Sequence, residues 1–226
     1  MRFLWCFVPV KLLFFALSSK VLNVYFSKIN IINTFVQNSK EMIYPIHVYG
    51  SPVLAKVAKE IDKNHKDLAT IIQNMKETME RCEGVGLAAP QVGLGIRLIV
   101  IDASPMGEDD EELLTFQKVL INPKIIEETG EEWLYNEGCL SLPTLREDVY
   151  RKSNIRIQYQ DENFNSFDET YNGVKARIIQ HEYDHLEGKL YIDRLSALRK
   201  RLLKRRLSDI SKGNVEVNFR IVTFAK

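Results

Sequence analysis

Two histidines four residues apart, with a glutamate beside the first, stand in His181-Glu182-Tyr183-Asp184-His185. Residue types in that pattern let a helix hold a metal ion. At 3.6 residues per turn the two imidazoles share one face, about 6 Å apart along the axis, so both can grip one ion. Glu182 lies roughly 100° around the axis from His181. From there its carboxylate can reach a water at the ion without being a ligand, which makes it a candidate general base. The flanking residues predict the helix. Asn172-Gly173 supplies a turn and cap, Val174, Ile178, Ile179 and Leu186 follow at helical spacings, and Gly188 is a natural stop. A chance match on an ordinary amphipathic helix would look the same, so the pattern must be supported from elsewhere in the chain.

A catalytic metal site takes three protein ligands and leaves a position open. The metzincin extension would put a histidine at position 191, which is Tyr191, and a downstream glutamate ligand has only the distant Glu216 to offer. Both protease templates fail there. Cys139, in Glu137-Gly138-Cys139-Leu140-Ser141, is the better third ligand, because a thiolate in a glycine-flanked turn suits a borderline-soft divalent ion. Alone, such a cysteine is more often a small buried hydrophobe. A third segment, Gly84-Val85-Gly86-Leu87-Ala88-Ala89-Pro90-Gln91-Val92-Gly93, gives small residues that allow a backbone to approach a ligand closely, although by itself it reads equally as a helix stop and tight turn.

In this order the three segments resemble the peptide deformylases, over about Met42 to Arg206. The resemblance implies that Cys139, His181 and His185 ligate one divalent metal and that Glu182 is the general acid/base. It implies that Gln91 and the backbone N–H of Leu140 donate to the oxyanion formed when water attacks the formyl carbon of an N-formylmethionyl peptide. The implied native ion is Fe2+, although Zn2+, Ni2+ and Co2+ suit the same donors. Substrate contacts fall, by the same resemblance, on Val85, Gly86, Tyr135, Glu137, Gly138, Arg146, Val174 and Ile178. Arg177 occupies a further pocket-matching position, and Glu137 and Arg146 are placed to pair beside the site. Two readings from other classes stand beside this one. A zinc endopeptidase of the HExxH type would share the helix, and a structural-metal module would need a fourth protein ligand, for which Cys82 is the thiol to test.

The 226 residues, 45% hydrophobic and 27% charged, suit one globular catalytic domain, and three cysteines form no paired framework, which favours a reducing compartment. The formal charge of +1 hides an asymmetry, since residues 1–40 carry five Lys/Arg and no Asp/Glu. The remainder holds 26 basic and 30 acidic side chains, a net of −4. Residues 1–41 are read as a leader outside the catalytic domain 42–226, either a targeting-like segment or translated upstream sequence with Met42 as the true start. The run Phe3 to Leu17 is short and broken for a membrane span. With Met42 as the start the expected location is the bacterial cytoplasm. Six basic residues lie at positions 199–206, on a predicted helix with Leu195, Leu198, Leu202, Leu203 and Ile210 on its apolar side. A solvated face is one reading, and docking on ribosomal RNA near the emerging nascent chain is the other.

The elements that must position these residues read as α+β, with antiparallel or mixed sheets around a central helix carrying the HExxH metal ligands. A short helix is expected from Ser51-Pro52 to about Glu60 and a longer one along Leu68, Ile71, Ile72, Met75 and Met79. Strands are expected at 97–102, at 119–127 paired with 131–135 about Thr129-Gly130, at 155–160 paired with 166–171, and at 215–224.

Overall fold

A computed structural model describes residues 42–108 and 110–224. The reading of residues 1–41 as a leader lies outside the described residues. Residues Met42–Lys226 form one compact unit. Its centre is a five-stranded antiparallel sheet in chain order, β2 (Gly86–Ala88), β3 (Leu98–Asp102), β4 (Gln117–Cys139), β5 (Leu142–Gln160) and β6 (Ser166–Asn172). A two-stranded parallel pair joins β1 (Ile46–His47) to β7 (Ile221–Val222). Three helices accompany the sheets among the described residues: α1 (Leu68–Arg81), α2 (Gly173–Leu186) and α3 (Ala197–Ser211).

Period-two burial governs β5. Leu145, Glu147, Val149, Arg151, Ile155, Ile157 and Tyr159 face inward, so two charged residues stand in the same phase as the apolar ones. The β5–β6 hairpin has the expected register, Ile155 opposite Tyr171 and Gln160 opposite Ser166. The expected hairpin about Thr129-Gly130 does not form. Gly130, at φ +79°, is instead absorbed as an irregularity inside one long strand, β4, which pairs with β5 from Ile121 to Cys139, on both sides of the glycine. The pairing slips between Thr129 and Glu132, as an extra residue in one strand of an antiparallel pair requires.

Three other expectations are corrected. The helix from Ser51-Pro52 stops after one 3-10 turn, Pro52–Ala55, because Ala58 N–H is taken by the Leu186 carbonyl and Lys59 bridges to Gly95 and Arg97. The terminal strand shrinks to Ile221–Val222, since its partner β1 offers only two residues. On α3 the buried stripe is Leu203, Leu207 and Ile210, whereas Leu198 and Leu202 are 69% and 63% exposed. The rotation of α3 is fixed by Arg199, which donates twice to the buried Glu147, and by Ser196, which caps the first turn.

Helix α2 is enclosed rather than laid on a surface. Nine of its fourteen residues are buried, including Arg177, Glu182, Asp184 and His185. Charged groups so placed must find partners. Gly188, at φ +68°, turns the chain away just after the helix, where a side chain would strike the Ala55 and Lys56 backbone.

Candidate metal centre

The turn between β4 and β5 carries Cys139 to the face of α2 on which His181 and His185 stand. The ligand atoms of these three residues lie within 4.8 Å of one another. Cys139 Sγ is 3.2 Å from His185 Nε2. Three donors at metal-ligand distances of about 2.0–2.3 Å around one ion would be separated by distances of this order. His181 Nδ1 is 2.7 Å from Glu137 Oε2, which leaves its other ring nitrogen free to face the cluster. Burial opposes a Cys139 thiolate, yet the His185 charge and hydrogen bonds from His181 and His185 outweigh it and hold the thiol well below its usual range. A thiolate and two imidazoles, with no fourth protein ligand in the group among the described residues, are the donor set of an open divalent site. Cys82 is buried among Met75, Met79 and Leu87 and does not join it.

Glu182 is buried beside this group. Its Oε2 has no hydrogen-bond partner, and burial raises its pKa against the pull of the two histidines. Gly86 makes room for it, because a Cβ there would stand 2.6 Å from Glu182 Oε1. Gln91 sits on a 3-10 turn, Ala89–Val92, with its Oε1 accepting from Ala88 N–H at 2.7 Å. That bond turns the amide nitrogen toward the cluster, 3.5 Å from Cys139 Sγ. Among the described residues, the Leu140 N–H donates to no turn or loop carbonyl and to no side chain.

A cavity of about 740 Å3 opens over these groups. Val85, Gly86, Gln91, Tyr135, Glu137, Gly138, Cys139, Leu140, Arg146, Ile178, His181 and Glu182 all reach it. The sequence model of the polypeptide deformylase family matches residues 43–201. The chain belongs to the peptide deformylase family. It is 54% identical over 187 residues to the peptide deformylase of Christiangramia forsetii, covering 80% of this chain and 95% of that protein. It is 52% identical over 180 residues to the peptide deformylase of Cytophaga hutchinsonii, covering 80% and 97%. The crystal structure of peptide deformylase from Thermotoga maritima superposes with a TM-score of 0.62 at 40% identity, over 69% of this chain and 99% of that one. Peptide deformylases are hydrolases that use a single metal ion, and the endopeptidase alternative finds no support.

Two of the deformylase positions expected at the substrate behave differently. Val174 does not line the cavity and packs against the core. Glu137 and Arg146 do not pair. Arg146 donates to Asn136 Oδ1 and O at 2.8 and 2.6 Å, while Glu137 accepts from Arg151, Arg177 and His181. Arg177 turns inward, stacked over Trp133 at 4.6 Å, with its guanidinium also on the Val149 and Trp133 carbonyls. Beneath the site, Arg151 bridges Glu137 to Asp184, which Arg194 grips with two further bonds. Sequence reading missed Arg151 and Asp184. The available signal was an arginine in the inward phase of β5.

Proposed function

We propose that residues 42–226 are a deformylase domain that removes the formyl group from N-formylmethionine of newly made polypeptides, releasing formate and leaving a free amino terminus. The observation that carries this reading is the convergence of Cys139, His181 and His185 beside a buried glutamate with an unpartnered oxygen, at the floor of a cavity. Cys139, His181 and His185 would hold the ion, with the α2 helix as its central support, and Fe2+ is the proposed native metal. When bound, the ion supplies Lewis acidity to water and to the formyl oxygen. Glu182 accepts the proton of the attacking water and passes it to the departing amine nitrogen. Its raised pKa suits both transfers. The Gln91 amide, already aimed by Ala88, and the Leu140 N–H donate to the oxygen on which charge develops; one such donor is worth about 100- to 1,000-fold in rate. The methionine side chain takes the apolar wall of Val85, Tyr135 and Ile178.

Docking near the ribosomal exit by residues 199–206 belongs to the same proposal. Arg199, Lys200 and Arg206 bond within the domain, to Glu147, Asp193 O and Thr144 O, so Arg201, Lys204 and Arg205 are the cations left for a partner among the described residues. No helix of the described residues is long and apolar enough to cross a membrane. A bacterial cytoplasmic location goes with Met42 as the start, which amino-terminal mass spectrometry of the native protein tests. The activity is tested by formate release from a formylmethionyl tripeptide by the chain purified anaerobically with its metal. Glu182→Ala should lower turnover about 100- to 10,000-fold with metal content retained. Unchanged formate release, or loss of the metal with Glu182, would overturn the assignment.

A further inference from the structure

The cavity has a wall that the three motifs do not account for. Glu216, Val217, Asn218 and Phe219, from the segment after α3, line it together with Gly84, Leu140 and Thr144. This segment lies outside the residues matched to the family. Its placement is fixed at both ends. Upstream, Asn214 N–H donates to Asp209 O at the end of α3; downstream, the Arg220 carbonyl accepts from Ile46 N–H at 2.8 Å and Val222 pairs with β1. Strand β1 is in turn tied to the metal turn, where Tyr49 N–H donates to Ser141 O at 2.9 Å.

Side chains along the segment alternate. Val215 and Ile221 pack in the cluster that includes Cys139, and Phe219 packs in the cluster that includes Leu140. Glu216 and Asn218 are the exposed members, and both still reach the cavity. Gln91, Glu182 and His185 are buried, Cys139 and His181 half-buried, and these two exposed, so the segment forms the outer part of the cleft. A cavity of this size encloses a ligand of several residues rather than one methionyl side chain. The charges at the exposed part are unequal. Glu83 and Glu216 pair with no cation among the described residues, and they outnumber the one exposed arginine of the lining, Arg146, whose guanidinium is held on Asn136.

We propose that Glu216 and Asn218 form the outer wall of the substrate cleft and select the residues that follow formylmethionine, with Glu216 favouring a basic side chain there. This rests on the deformylase reading above. The Glu216 carboxylate, with Glu83 beside the same opening, attracts a lysine or arginine and repels an acidic side chain, while Asn218 offers an amide to the peptide chain.

The test compares kcat/KM for two formylmethionyl tripeptides, one with lysine and one with glutamate directly after the formylmethionine, on the full metal-loaded chain. The ratio cancels differences in active fraction. A solvent-exposed charge pair is worth up to roughly fivefold, and reversal of the charge acts on both substrates in opposite directions. Wild type should favour the lysine peptide, and Glu216→Lys should lower the Lys/Glu ratio on the order of tenfold, with most of the change in KM. Glu162→Lys, the same charge change outside this cavity, should leave the ratio where it is. Raising the salt concentration should shrink the wild-type preference. A ratio unmoved by Glu216→Lys, or moved equally by Glu162→Lys, would overturn the proposal. Absence of formate from every formylated peptide would instead remove the deformylase reading itself.

Discussion

Glu137 is the residue whose loss should reveal most about how the site is supported. Its carboxylate is buried and accepts from Arg151 Nε and Nη2 at 2.7 and 2.9 Å, from Arg177 Nη1 at 2.9 Å and from His181 Nδ1 at 2.7 Å. Glu137→Gln keeps the shape and removes the charge, so two buried guanidinium groups lose their shared counter-ion. Breaking a buried pair from one side costs about 3–5 kcal/mol. Arg151 keeps Asp184 at 2.7 Å and Arg177 keeps two carbonyls, which puts the expected loss near the lower end, about 3 kcal/mol. Against a domain stability of about 5–15 kcal/mol that is a large fraction. With an m-value of about 2–3 kcal/mol/M, the urea midpoint should fall by roughly 1 M or more. Trp133, over whose ring Arg177 lies, is a fluorescence probe inside the affected region. The same substitution weakens the partner that orients His181, and metal affinity measured by chelator competition should drop about 10- to 100-fold. A midpoint shift below about 0.3 M together with unchanged metal affinity would refute the reasoning on both counts.

Gly86→Ala should lower turnover on the order of 10- to 100-fold with metal retained, because the new methyl would stand 2.6 Å from Glu182 Oε1 and must displace that carboxylate; steady-state kinetics and metal analysis check it together. Cys82→Ser should keep full metal content while costing about 1–3 kcal/mol of stability, since a hydroxyl replaces a thiol in an apolar cluster. Loss of metal in that variant would restore the structural-metal reading. Asp168 should titrate at about 2 by NMR, because Arg156 donates twice to it and Gln158 once. Its folded value lies below its unfolded one, so the contribution of this ion pair is complete above the ordinary aspartate range and is lost as the pH falls toward about 2. Arg156→Ala should return the titration toward about 3.9.

Reading the chain alone reached the chemistry because the reacting groups are short-range patterns. A four-residue histidine spacing defines one helix face, and a glycine-flanked cysteine and a small-residue run mark turns, whatever surrounds them. The period-two and period-3.6 signals likewise gave the β5–β6 hairpin and α1 and α2, since burial of one face imposes them locally. Where the outcome depended on a partner distant in sequence, local pattern was insufficient. Gly130 could open a hairpin or be absorbed in a long strand, and only the continuous pairing with β5 chose the second. The turn after Pro52 could have continued as helix, but the Leu186 carbonyl and the Gly95–Arg97 edge claimed its backbone. Glu137 could have met Arg146, the neighbour of its cross-strand partner Glu147, or the inward-facing Arg151 and Arg177, and the burial phase of β5 and α2 decided for the latter. The sequence by itself pointed to Cys139, His181 and His185 as one candidate donor group with Glu182 beside it, and the fold brings those three together. The tertiary structure decided which charges lie beneath the donors and which segment walls the cleft, because both are set by contacts between residues far apart in the chain, whose free energy no local window contains.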